Sequence, residues 1–124
     1  MPNRILWHIN DYCNFGCSYC FFPVFEKENP AVGRLNPQEI YDAFKKTGRS
    51  WHLFIAGGEP LLYPNFIELI NLIKPEHPIQ ISTNLYNKNV KAFAEQVTPE
   101  NFIVINASLH ILHHNEKSLK KFLM

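Results

Sequence analysis

Trp51-His52-Leu53-Phe54-Ile55-Ala56-Gly57-Gly58-Glu59-Pro60 reads as a short β run that closes on two glycines. A helical period takes over after it, with Phe66, Leu69, Ile70 and Ile73 on one face and a stop before Pro75. The same rhythm repeats outward on both sides. Ile5–Ile9 is the expected first strand. Asn36 is a good helix N-cap, Pro37 suits the first helical position, Glu39 can complete a capping box and Gly48 can stop the helix. Ile40, Ala43 and Phe44 are the expected apolar stripe of that helix. Downstream, Ile79–Thr83 predicts a third strand, while Val90, Phe93, Ala94 and Val97 mark a third helix. Phe102–Leu109 predicts a fourth strand, whose run Phe102-Ile103-Val104-Ile105 suits burial on both faces. Glu116–Met124 has the pattern of a fourth helix. Strands alternating with helices in this way predict an α/β fold with a parallel sheet and about four βα units.

In such folds, sites form at the C-terminal ends of the strands. Two unusual segments fall there. The first strand runs into Cys13-Asn-Phe-Gly-Cys17-Ser-Tyr-Cys20, which holds every cysteine of the chain. Three thiolates at C-x3-C-x2-C spacing can ligate three irons of a cubane cluster and leave the fourth without a protein ligand, whereas such clusters ordinarily take four cysteines. The alternative is a set of structural thiols, or a zinc site completed by His8 or His52; only Cys17 and Cys20 have the pair spacing usual in structural zinc sites. The second segment is Gly57-Gly58-Glu59-Pro60 itself, which otherwise reads as an ordinary strand-to-helix turn.

The cysteine pattern, with Tyr19 just before its last member, resembles that of the radical S-adenosylmethionine (SAM) enzymes, and Gly57-Gly58-Glu59-Pro60 resembles the GGEP segment of the same superfamily. The resemblance implies a 4Fe–4S cluster on Cys13, Cys17 and Cys20, with SAM as the second cofactor. It implies contact of Gly57, Gly58, Glu59 and Pro60 with the methionine amine, and of Tyr19 with the adenine. Thr83 and Ser108, at the ends of the third and fourth strands, would contact the methionyl or ribose part. Asn84 is a further candidate at the third strand's end, and His110, after the fourth strand, is a candidate to touch substrate or the ribose. The implied activity is reductive cleavage of SAM to methionine and a 5′-deoxyadenosyl radical, which abstracts hydrogen from a substrate that the sequence does not name. An external one-electron reductant of flavodoxin or ferredoxin type is implied as partner. The implied fold is a (βα) barrel of roughly six units, of which residues 1–124 would form the N-terminal, incomplete portion. A truncated product, a fragment or one part of an assembly would explain the difference. Two rivals follow: a non-catalytic cluster- or metal-binding module, and an interaction module using an open sheet edge.

Composition narrows the field. At 46% hydrophobic and 14% aromatic, the chain has the means to build a core. Twelve basic against eleven acidic residues leave a formal charge of +1, and no basic stripe interleaves with aromatics, so nucleic acid is not indicated. Lys117, Lys120 and Lys121 read as the solvated face of a helix. No apolar run approaches the roughly 18 residues of a membrane span, and no signal-peptide core is apparent. An odd, clustered set of thiols is poor material for disulfides, which makes a reducing cytoplasm the expected compartment.

Overall fold

A computed structural model describes residues 3–10 and 35–107 of the chain. The order of elements is β1 (Asn3–His8), α1 (Pro37–Lys46), β2 (Trp51–Ala56), α2 (Phe66–Ile73), β3 (Ile79–Thr83), α3 (Val90–Gln96) and β4 (Phe102–Ala107), with a 3-10 turn at Pro60–Leu62. The four strands form one parallel sheet in the order β1-β2-β3-β4. This is the α/β architecture expected of successive βα units. The cysteine stretch, Tyr19, Ser108, His110 and the expected fourth helix lie outside the described residues.

Helix α1 begins as its sequence dictates. Asn36 Oδ1 accepts the Glu39 N–H at 2.9 Å, Pro37 takes the first turn, and Lys45 and Lys46 sit at the negative end of the helix dipole. Glu39 closes the box by a different route: its carboxylate accepts from the Asn36 side-chain amide at 2.9 Å. Gly48 follows the end with φ +66°, a left-handed position that suits glycine. The buried stripe departs from expectation. Ala43 is exposed, while Tyr41 joins Ile40 and Phe44 against the core. A methyl group gains less from burial than a tyrosine ring, so the helix settles with its larger apolar surface inward.

In α2 the expected face holds, with Phe66, Leu69, Ile70 and Ile73 all buried. They pack on Leu53 and Ile55 of β2 and Ile79 and Ile81 of β3, the alternate residues of two neighbouring strands. Among the described residues the core therefore lies on one side of the sheet. The opposite face carries Arg4 and Leu6 of β1, Phe54 of β2, Gln80 of β3 and Val104 of β4, paired in register across the strands. Leu6 is 78% exposed there.

Burial of the β4 run on both faces is not observed: Val104 is 40% and Ile105 45% exposed. Two causes are visible. The register skips a residue between Phe102, opposite Ile79, and Val104, opposite Gln80, so a bulge shifts the phase of the alternation. The helix before it is also short. Phe93 is the only buried residue of α3, and Ala94 is exposed.

Candidate functional site

Buried polar side chains concentrate at the C-terminal edge of the sheet. Asn10, Glu59, Thr83 and Asn84 are all at most 4% exposed, and they come from the ends of β1, β2 and β3. Parallel strands in register bring these ends together: His8 pairs with Ala56, and Ile55 with Ile81.

Glu59 is the centre of the group. It is 1% exposed. Its Oε1 accepts from the Thr83 hydroxyl at 2.5 Å and from Leu61 N–H at 3.3 Å, and its Oε2 accepts from Asn84 N–H at 2.8 Å. The Thr83 hydroxyl in turn accepts Leu85 N–H at 3.1 Å. A carboxylate offers about four acceptor sites, so these three donors leave room for one more. Burial pushes the Glu59 carboxyl above its ordinary range, and the donors from Asn84, Thr83 and Leu61 pull in the opposite direction. No described lysine or arginine pairs with it. Glu59 is thus a buried carboxylate with no cation beside it among the described residues, an environment that favours a positively charged ligand group.

Gly57 and Gly58 are half-buried at the mouth of this arrangement. Gly57 has φ +150°, and a Cβ there would fall 2.5 Å from the Asn10 carbonyl oxygen. Only glycine fits so close an approach. Pro60 is buried and opens the 3-10 turn that Glu59 caps, and Asn89 Nδ2 holds the far end of that turn through the Leu61 carbonyl at 2.7 Å. Of the residues singled out in the sequence, Gly57, Gly58, Glu59, Pro60 and Thr83 are gathered at one edge. Cys13, Cys17, Cys20, Tyr19 and Ser108 lie outside the described residues. Among the described residues, no group of three or more His, Cys, Asp and Glu side chains is placed to hold a metal ion.

Sequence reading passed over Asn10. An asparagine after a strand is an ordinary turn residue, and only the packing shows it buried against the glycine pair. Asn84 acts through its backbone N–H, which no side-chain pattern reports.

Known proteins agree with this architecture. The profile of the Radical SAM superfamily matches residues 7–123, and the chain belongs to that superfamily. Members of the superfamily use a 4Fe–4S cluster and SAM. The chain is similar to an S-adenosylmethionine-dependent nucleotide dehydratase of Selenomonas ruminantium, 31% identical over 57% of the chain and 25% of that protein. It is similar to a 7-carboxy-7-deazaguanine synthase of Methanothermobacter thermautotrophicus, 39% identical over 58% of the chain and 29% of the relative. It is also similar to a GTP 3',8-cyclase of Psychromonas ingrahamii, 32% identical over 69% of the chain and 26% of the relative. The match thus spans between a quarter and a third of these relatives' length. No solved structure matches the chain.

Proposed function

We propose that the chain is the N-terminal portion of a radical SAM core domain and that it binds a 4Fe–4S cluster and SAM for reductive cleavage of the latter. The observation that carries this reading is the buried Glu59 carboxylate, which has no cationic partner among the described residues, set beside Gly57 and Gly58 at the strand edge that precedes the cysteine stretch in sequence. The residues fit the two groups by their chemistry. Cys13, Cys17 and Cys20 are three soft thiolate donors. The Gly57 and Gly58 carbonyls and the Glu59 carboxylate offer oxygen acceptors suited to an ammonium group, and Thr83, at the end of β3, is assigned to the methionyl or ribose part. Tyr19 and Ser108 are assigned to the adenine and to the methionyl or ribose part, on the motif and on position at a strand end.

When bound, these groups supply a one-electron cleavage of the sulfonium C–S bond, giving methionine and a 5′-deoxyadenosyl radical that abstracts hydrogen from substrate, the electron coming from an external reductant of flavodoxin or ferredoxin type. The protein's own part is binding and orientation. The Gly57 and Gly58 carbonyls receive the amine, Glu59 supplies the negative charge, and Thr83 and Asn84 hold that carboxylate in one position. The lack of bulk water around Glu59 strengthens its attraction for a cation.

No described helix is long and apolar enough to cross a membrane. The test is anaerobic reconstitution with iron and sulfide, followed by reduction with dithionite and assay for 5′-deoxyadenosine. Its formation supports the reading. Iron and sulfide bound at stoichiometry with no SAM bound or cleaved would mark a cluster-binding module instead.

A further inference from the structure

We infer that Asn10 is a positioning residue that fixes the Gly57–Glu59 backbone for the amine of SAM, and so couples the strand leading into the cysteine stretch to the cofactor's amino-acid end; the inference rests on the functional reading above. Asn10 is 3% exposed and lies just beyond β1. Ile9 N–H first completes the ladder to Ala56 O at 2.9 Å. Asn10 then makes two bonds to the following segment. Its carbonyl accepts Gly58 N–H at 2.8 Å, and its side-chain Nδ2 donates to the Glu59 carbonyl at 3.1 Å.

These bonds decide which acceptors remain for a ligand. The Glu59 carbonyl also accepts Leu62 N–H at 3.0 Å, so with Asn10 both of its lone pairs are in use. No hydrogen bond from another described residue reaches the Gly57 or Gly58 carbonyl. The ammonium group is thereby directed to those two carbonyls and to the one remaining acceptor site of the Glu59 carboxylate.

Asn10 Oδ1 is buried without a partner among the described residues, a costly state for a polar atom. It lies against the Gly57 backbone, 2.7 Å from where a Cβ would stand. The side chain is oriented with its donor on Glu59 and its oxygen in the space that a side chain at position 57 would occupy. A residue that only filled space would not need that arrangement.

Two variants of the whole chain separate the donor from the volume. Asn10→Asp keeps the shape but sets an acceptor against the Glu59 carbonyl; Asn10→Ala removes both groups. The measurements are iron and sulfide content, SAM affinity by equilibrium binding, and the change that SAM causes in the electron paramagnetic resonance spectrum of the reduced cluster. Both variants should keep wild-type iron and sulfide, bind SAM about tenfold or more weakly, and show a reduced SAM-dependent spectral change, with Asn10→Asp the more impaired. SAM affinity within about twofold of wild type for Asn10→Asp, below the loss of one hydrogen bond, would overturn the inference. So would loss of the cluster from both variants, which would assign Asn10 to folding of the cysteine stretch. A wild-type cluster indifferent to SAM would overturn the functional reading itself, and the inference with it.

Discussion

A carboxylate removed from water must be compensated, and among the described residues Glu59 is compensated by three hydrogen-bond donors and no cation. Burial still dominates, so its folded-state pKa lies above the ordinary 4.5. The sign of the pH effect follows. A raised carboxyl pKa means that the native state binds the proton more tightly than the unfolded chain. Its favourable contribution is present below the unfolded pKa and is lost as pH rises through the folded value. Glu59→Gln does not titrate, so the stability of the wild type relative to this variant should fall as pH is raised from about 4.5 toward neutrality. Urea unfolding at several pH values measures the difference; a constant or rising difference contradicts the burial-dominated account. Gly57 allows a sharper structural test. Gly57→Ala places a methyl group 2.5 Å from backbone oxygen at φ +150°. It should destabilise the fold by about 1–3 kcal/mol, seen as a lower thermal midpoint. An unchanged midpoint would show that this turn is not held as described.

The elements differ in how much of them could be read from residues alone. Local rules placed α1 and α2 well, because a cap and a four-residue apolar face are properties of one short segment. Asn36→Ala removes the acceptor for Glu39 N–H and should cost about 1 kcal/mol in unfolding free energy. A cost near zero would mean that tertiary packing alone holds the helix start. Where partners decide, the sequence was less legible. Ala43 and Tyr41 compete for one helix face, and only the neighbouring helix and strands choose between them. In β4, the skipped residue against β3 changes which side chains face the core, and nothing local announces it. The site shows the same division. The GGEP resemblance named the glycines and Glu59, and position at a strand end named Thr83, while the hydrogen bonds through Asn10 and the Asn84 backbone depend on three strands meeting at one edge.

At the scale of the whole molecule, four parallel strands carry their described helices on one face and leave residues such as Leu6 and Val104 on the other. That arrangement suits a wall of a (βα) barrel, whose inner face is shared with further strands. It also gathers the polar strand ends at one rim, where the cysteine stretch and the Gly57–Pro60 segment meet a common ligand in the proposed function. The central claim is that this rim captures SAM beside an incompletely ligated cluster. The most direct measurement is the electron paramagnetic resonance spectrum of the anaerobically reconstituted, reduced chain with and without SAM. The account predicts a 4Fe–4S signal that shifts when SAM is added and that disappears in a variant with Cys13, Cys17 and Cys20 all changed to Ala. A chain that takes up no iron and sulfide, or a cluster whose spectrum ignores saturating SAM, would contradict it.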